Sequence, residues 1–283
     1  MIKILRNIVD IEQFQNQNIN QPIGLVPTMG ALHSGHLALV KQAVLENKTV
    51  VISIFVNPTQ FDNLNDLETY PKTLDQDLNL LQTVLSVHQV YVFAPDVKTM
   101  YANGVVSQKF DFDGLEHQME GAFRTGHFDG VGTIVKKLFD FIKPDRAYFG
   151  EKDFQQLQVI KKLVKNYSLP VEIVPCKIVR EKDGLAMSSR NSRLSKQHRN
   201  VVPFIYKTLL EVKTQFGIKS VSDLSEWVKN HFEKEPLLNL EYFMIADENT
   251  LKPVEVKSAS KKYRAFIAVY AGEVRLIDNI SLN

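Results

Sequence analysis

Cysteine is almost absent from this chain, with Cys176 the single one among 283 residues. One cysteine excludes an intramolecular disulfide and a zinc site built from several thiolates. Long apolar runs are absent too. The first ten residues alternate apolar with charged or amide side chains, unlike a signal peptide, and no later run is long enough to cross a bilayer. We therefore expect a cytoplasmic protein with no membrane partner.

Excess charge of one sign is also missing. The 34 lysine and arginine residues nearly balance the 32 acidic residues, which leaves a formal net charge of +2. Such a small charge does not favour binding along a polyanion, so we expect no nucleic-acid partner. Apolar residues, in contrast, make up 44% of the chain, enough to bury a substantial core. The length fits two domains or one large domain.

The first part of the chain alternates short apolar runs, rich in β-branched residues, with longer stretches of helical spacing. This alternation is typical of βαβ units that build a parallel sheet. Residues 1–176 are therefore predicted to form a doubly wound, Rossmann-like α/β domain. The predicted strands are Ile23–Val26, Val50–Val56, Val90–Phe93, Arg146–Phe149 and Val171–Val174. The predicted helices are His36–Glu46, Leu74–Ser86, Val131–Ile142 and Phe154–Tyr167.

The pattern changes after residue 176, and residues 177–283 are predicted to form a smaller α+β domain. Ser195 can cap a long helical pattern at Lys196–Phe216, although Pro203 can kink that helix or move its start. In the first domain, the polar segment Asp62–Thr73 is predicted to be a mobile loop. Further elements of the second domain are predicted at Leu224–Phe232 for a helix, and at Leu240–Ile245, Arg264–Tyr270 and Glu273–Ile277 for strands.

A candidate phosphate site lies in Pro27–His36, which follows a predicted strand and opens the next helix. Ligands bind at this position in doubly wound sheets. Gly30 and Gly35 let the backbone approach a phosphate, and helix N–H groups favour the anion. The imidazoles of His33 and His36 supply further donors. A tight turn with two solvent-facing histidines fits the pattern equally well. A metal site is disfavoured, because no third ligand is evident nearby.

A second candidate segment, Gly150–Gln156, also stands between a predicted strand and a helix. Lys152 supplies a cation for phosphate, and Asp153 can accept hydrogen bonds from ribose hydroxyls. The alternative is that Asp153 only caps the helix while Lys152 is solvated. The location of this segment favours a phosphate site, because Gly150–Gln156 and Pro27–His36 are both predicted to lie at the carboxyl edge of one sheet.

The third candidate segment, Met187–Asn191, combines hydroxyl groups with a guanidinium. Such a loop can close over the β and γ phosphates and stabilise departing pyrophosphate. An ordinary linker between domains, followed by a helix capped by Ser195, is the alternative. Because a short motif often occurs by chance, this segment considered alone favours the linker.

Five segments, in the same order, resemble the signature segments of the pantothenate synthetase family. The resemblance continues to Arg275–Asn279 near the end of the chain. It departs from the family pattern at Thr125, where proline is expected, but Arg124 and His127 are in place. A structural role in a loop fits these two residues at least as well as a catalytic one. The five segments are Pro27–His36, Ile54–Phe61, Arg124–Val131, Tyr148–Leu157 and Asp183–Asn191.

This resemblance implies that ATP drives condensation of pantoate with β-alanine through a pantoyl-adenylate, with release of AMP and pyrophosphate. It implies Mg²⁺ carried on the ATP phosphates with no metal site of the protein's own, a homodimer, and a C-terminal domain that closes over the ATP site. His36, His33, Lys152 and Arg190 would be catalytic. Gln60 and Gln156 would bind pantoate, and Gln60 would also contact β-alanine. The implied ATP contacts are Met29, Gly30, Ala31, Leu32, His33, Ser34, Gly35, His36, Gly150, Glu151, Lys152, Asp153, Val179, Met187, Ser188, Ser189 and Arg190.

Three other functions fit parts of the pattern. A nucleotidylyltransferase that acts on a phosphorylated substrate would need cations where this chain offers Gln60 and Gln156. A non-catalytic nucleotide sensor would bind ATP without pantoate-dependent exchange of pyrophosphate. A transfer-RNA synthetase is disfavoured by the near-neutral charge and by the lack of an evident RNA-binding appendage.

Overall fold

In a computed structural model, which describes residues 2–18, 21–61, 67–84 and 89–283, the chain divides into two compact units. The first unit contains Met1–Glu151 and Gln155–Lys177. The second contains Ile178–Asn283 together with the short segment Lys152–Phe154. Two predictions fall partly outside the described residues: the loop Asp62–Thr73, at residues 62–66, and the end of the helix Leu74–Ser86, at residues 85 and 86.

A six-stranded parallel sheet forms the centre of the first unit, in the order β1-β4-β3-β2-β5-β6. From β2 the chain adds strands outward through β3 and β4 on one side, and through β5 and β6 on the other. This arrangement confirms the predicted doubly wound sheet. The strands are β1 Ile2–Leu5, β2 Ile23–Thr28, β3 Thr49–Ile54, β4 Gln89–Phe93, β5 Arg146–Gly150 and β6 Glu172–Cys176.

Helices accompany this sheet, and their apolar faces supply its core. Val40 of one helix and Leu81 of another are fully buried in the same cluster as Val26 and Ile52 of the strands. Strands buried in this way explain the continuous apolar runs in the sequence. Among the described residues, the helices are α1 Ile8–Gln17, α2 Ser34–Glu46, α3 Leu74–Gln82, α4 Val97–Met100, α5 Met119–Phe123, α6 His127–Ile142 and α7 Phe154–Asn166.

The second unit packs helices on a three-stranded antiparallel sheet of order β7-β8-β9, as predicted for an α+β domain. Its core joins Leu209 and Leu224 of the helices with Val269 of the sheet. The helical pattern predicted over Lys196–Phe216 is interrupted at Pro203, where a new helix starts, in line with the kink or later start expected from that proline. The elements are α8 Lys196–Val201, α9 Pro203–Gln215, α10 Val221–Phe232, β7 Leu238–Asp247, β8 Tyr263–Ala271 and β9 Val274–Ser281.

Proline explains that break. Pro203 occupies the first turn of α9, where its missing N–H would have no partner in the helix anyway. Ser195 caps the preceding helix as predicted, with its side chain accepting the N–H of His198. Within the described residues, no helix is long and apolar enough to cross a membrane.

Candidate active site

The reversal of strand order places two of the predicted segments at one edge of the sheet. Strands β2 and β5 are parallel neighbours, with Gly24 paired to Arg146. They end at Thr28 and Gly150, so the turn after β2 and the residue that closes β5 lie at the same carboxyl edge. The predicted common edge is confirmed. In open α/β sheets, ligands bind at the carboxyl edge, where the strand order reverses.

A buried carboxylate holds the turn that follows β2. Gly30 and Ala31 both have positive φ, 83° and 48°. The N–H groups of Ala31 and Leu32 donate to Asp77 of α3 at 3.0 and 2.7 Å, and the Thr73 hydroxyl donates to the same carboxylate. Burial raises the pKa of Asp77, while these donors act against that rise. Two main-chain donors of the predicted ATP segment are therefore bound to the protein's own carboxylate.

The two predicted catalytic histidines form the N-terminal cap of α2. His33 Nδ1 accepts the N–H of Gly35 at 3.1 Å, and His36 Nδ1 accepts the N–H of His33 at 3.3 Å. The rings lie 4.1 Å apart, centroid to centroid. An imidazole nitrogen that accepts a hydrogen bond carries no proton, so in each neutral ring the proton is on Nε2. Both neutral histidines therefore carry the proton on Nε2. This arrangement is more defined than the alternative of a turn with two solvent-facing histidines.

Gln60 lies in a short 3₁₀ helix, Pro58–Gln60, and its side-chain amide is oriented by neighbours. Asn57 Nδ2 donates to Gln60 Oε1 at 3.0 Å, and Gln60 Nε2 donates to the Met29 sulfur at 3.2 Å. Asn57 is itself held, since its Oδ1 accepts from the Tyr101 hydroxyl at 2.5 Å. The NH₂ end of Gln60 is therefore directed towards Met29, the first residue of the predicted ATP contacts.

Arg124 and His127 support Gln60 through its main chain. His127 Nδ1 lies 2.8 Å from the Gln60 carbonyl oxygen, and Arg124 donates to the same oxygen at 3.4 Å. Arg124 also lies 3.3 Å from His127 Nε2. A carbonyl can only accept, so His127 carries its proton on Nδ1 and accepts from Arg124. These contacts agree with the structural role weighed for both residues.

Two adjacent glutamines at the start of α7 have different environments. Gln155 is buried, accepts from the N–H of Glu120 at 3.0 Å, and donates to the carbonyls of Leu115 and Gln118. These bonds use both ends of its amide for structure. Gln156, the predicted pantoate ligand, is only partly buried.

Lys152 is partly enclosed, unlike a solvated surface lysine. Its side chain is 20% exposed, and Nζ lies 3.8 Å from Asp153 Oδ1. Glu151–Asp153 forms one 3₁₀ turn directly after Gly150. A Cβ atom added to Gly150 would meet open space, so close packing does not require glycine there.

The segment Val179–Arg190 is built into the second unit and is not a bare linker. The N–H of Met187 donates to the Val179 carbonyl at 2.9 Å, and a bridge joins Arg180 to Ala186. The Ser188 side chain then caps a 3₁₀ turn by accepting the N–H of Arg190 at 3.2 Å. The predicted ATP contacts of this segment therefore lie on a defined hairpin and turn.

No group of three or more His, Cys, Asp or Glu side chains suited to hold a metal ion occurs among the described residues.

Comparison with known proteins identifies the family. The sequence profile of the pantoate–β-alanine ligases matches residues 3–281. The chain belongs to this family. The pantothenate synthetase of Christiangramia forsetii is 56% identical over 92% of each chain, and that of Bacteroides thetaiotaomicron is 48% identical over 99% of this chain and 98% of its own.

Solved structures of the pantoate–β-alanine ligase family have the same fold. Pantothenate synthetase from Thermus thermophilus superposes with a TM-score of 0.89 at 39% identity, covering 99% of both chains. The Francisella tularensis enzyme, solved with β-γ ATP and β-alanine, gives 0.81 at 36% identity, covering 100% of this chain and 98% of its own.

Within this pantoate–β-alanine ligase, the sequence did not reveal two residues that orient the candidate site residues. Asp77 lies in a helix far along the chain from the turn that it holds, and Asn57 acts through Gln60. Asn57 stands in the quoted segment Ile54–Phe61, so the resemblance could have suggested it. No short motif signals the contact of Asp77 with Ala31 and Leu32.

Proposed function

We propose that this chain joins pantoate to β-alanine with consumption of ATP, and that the residues described above carry the reaction. In the first step a pantoate carboxylate oxygen forms a bond to the α-phosphorus of ATP while the bond to pyrophosphate breaks. In the second step the amine of β-alanine attacks the acyl carbonyl and AMP leaves. The products are pantothenate, AMP and pyrophosphate.

The observation that carries this proposal is the contact between Gln60 and Met29, at 3.2 Å. This contact supports a binding site for pantoate next to the turn proposed to bind ATP. In-line attack of the pantoate carboxylate on the α-phosphorus requires the two substrates to be neighbours. A neutral amide can orient pantoate without pairing its carboxylate, so the nucleophile keeps its reactivity. Gln156 is proposed as the second pantoate ligand, and Gln60 also contacts β-alanine.

Positive groups are proposed to stabilise the charge that grows on departing pyrophosphate. His33 and His36 act as preorganised Nε2–H donors, and Lys152 and Arg190 add cationic charge. Asp153 binds the ribose, and Val179 contacts the adenine. The remaining ATP contacts are assigned to Met29–Leu32, Ser34, Gly35, Gly150, Glu151 and Met187–Ser189.

Mg²⁺ is proposed to enter on the ATP phosphates, where it supplies further neutralisation of negative charge. We also propose that the chain works as a homodimer in the cytoplasm.

Exchange of labelled pyrophosphate into ATP tests the adenylation step. We expect exchange that depends on pantoate and needs no β-alanine, because the acyl-adenylate forms first. Omission of pantoate, or use of a phosphorylated analogue, is the control. Exchange with the phosphorylated analogue in place of pantoate would point to a nucleotidylyltransferase. ATP binding with no exchange under any condition would identify a sensor.

A further inference from the structure

The end of strand β9 has no role in the proposed reaction, although it carries the last family-like motif, Arg275–Asn279. Asp278 and Asn279 are 5% and 2% exposed. Burying a carboxylate and an amide costs free energy unless both are well hydrogen bonded. Their partners therefore indicate what this strand end holds in place.

Asn279 holds the main chain of Lys152. Its Nδ2 donates to the Lys152 carbonyl oxygen at 2.9 Å, while its Oδ1 accepts from Arg264 Nη1 at 2.7 Å. A guanidinium can only donate, so the bond to Arg264 fixes which end of the amide faces Lys152.

Arg264 also contacts the other end of the same segment. Its guanidinium lies 3.9 Å from the centroid of the Phe154 ring, and its Nε donates to Glu248 at 2.9 Å. Asn279 and Arg264 thus bind the first and last residues of Lys152–Phe154, all within the second unit. The predicted catalytic lysine is attached to β8 and β9 through its backbone.

Asp278 fixes a second predicted segment. It pairs with Arg180 through two bonds of 2.6 and 2.9 Å, and Arg180 donates to the Gly184 carbonyl at 3.1 Å. The Arg180 guanidinium also lies 3.6 Å from the centroid of the Tyr206 ring. The hairpin that leads to Met187–Arg190 is therefore anchored at the neighbouring position of the same strand.

We propose that Asn279 is a positioning residue for adenylation, which acts by fixing the backbone of Lys152. This inference rests on the role proposed above for Lys152. Without the amide, the Lys152 carbonyl loses its donor and the backbone of the segment can shift. A misplacement of about 1 Å can lower a rate by about a hundredfold, so even a smaller shift is measurable.

A double-mutant cycle in the full-length chain tests the proposal. Pyrophosphate exchange is measured for the unmodified chain, Asn279→Ala, Lys152→Ala and the double variant. Lys152→Ala keeps the carbonyl that Asn279 binds and removes the side chain beyond Cβ, including the ammonium. We expect about a tenfold loss for Asn279→Ala, a larger loss for Lys152→Ala, and no further loss in the double variant, because both act through one group.

A general structural role for Asn279 would instead lower the rate by the same factor in both backgrounds, and that result would overturn the inference. A normal rate for Asn279→Ala would overturn it too. A normal rate for Lys152→Ala would show that the proposed role of lysine is wrong. These failures are therefore distinguishable.

Asn239→Ala, at an exposed position in β7 of the same sheet, is the matched control and should leave exchange unchanged. Thermal unfolding shows which variants are folded. If Asn279→Ala does not fold, Asn279→Asp takes its place in the cycle, since its carboxylate keeps an acceptor for Arg264 and puts an oxygen in place of the donor to Lys152.

Discussion

At the scale of single residues, His33 and His36 cap α2, and the chemical role proposed for them can be tested separately from this structural one. Nδ1 of each ring accepts a backbone N–H, which leaves the proton of the neutral ring on Nε2, the donor proposed for phosphate. Replacing His36 by alanine removes one preorganised donor. We expect adenylation, measured by pyrophosphate exchange, to fall by about two orders of magnitude or more. The exposed His117 offers a control by the same substitution.

His33→Asn separates the two tasks of the cap. Asparagine is a favourable N-cap residue, so the start of α2 should keep its stability, whereas the Nε2–H donor is lost. We expect a nearly unchanged unfolding temperature with adenylation reduced about tenfold or more. His33→Ala should lose both, at a cost of about 1 kcal/mol in unfolding free energy. Full activity in His33→Asn would show that His33 serves only as a cap.

The thiol of Cys176 should be unreactive in the native protein. The residue is 3% exposed. Burial, with smaller effects of Glu46 and Glu151, raises the pKa of its thiol from 9.0 to about 12. Since the thiol favours its protonated form when folded, its contribution to stability is present below pH 9 and is lost as pH rises through about 12. At pH 8 we expect a thiol reagent to label the protein only after denaturation. Rapid labelling of native protein would contradict this environment.

At the scale of secondary structure, Gly130 lets α6 approach the 3₁₀ helix that carries Gln60. A Cβ atom at Gly130 would lie 2.2 Å from the Thr59 carbonyl oxygen and 2.7 Å from Gln60 Cα. We expect Gly130→Ala to displace Gln60, raise KM for pantoate and lower the unfolding free energy by about 1–3 kcal/mol. Gly217→Ala, where an added Cβ meets nothing within 4 Å, is the control. An unchanged KM would show that the pocket tolerates the shift.

Sequence patterns predicted most elements but not their ends. The five predicted strands of the first domain all overlap observed strands, whereas β1 was missed because a four-residue edge strand offers too little periodicity. Helix α1 was missed despite a capping box between Asn7 and Asp10. Helix α6 starts at His127, four residues before its predicted start, since glycines in its first turns weaken the helical signal.

At the scale of the whole molecule, the sequence predicted which segments share a sheet edge, because parallel strands carry their loops to one side. It could not predict the contacts that orient these loops. Asp77 reaches Ala31 and Leu32 from 45 or more positions away, and Asn279 reaches Lys152 across 127 positions. Such pairs depend on how the elements pack, and no local pattern records them.

Thermal unfolding with successive substrates tests the molecule as a whole. A ligand that binds only the folded state at a hundred times its Kd stabilises it by about 2.7 kcal/mol. We expect ATP alone to raise the unfolding temperature, and pantoate with ATP to raise it further, because the adenylate forms and stays bound. Adding β-alanine should remove this extra increment as the intermediate is consumed.

Gln60→Ala should keep the increase in unfolding temperature caused by ATP and lose the further increase caused by pantoate. A sensor would show the ATP increment alone, unaffected by pantoate or by Gln60→Ala, and that outcome would exclude the ligase reaction.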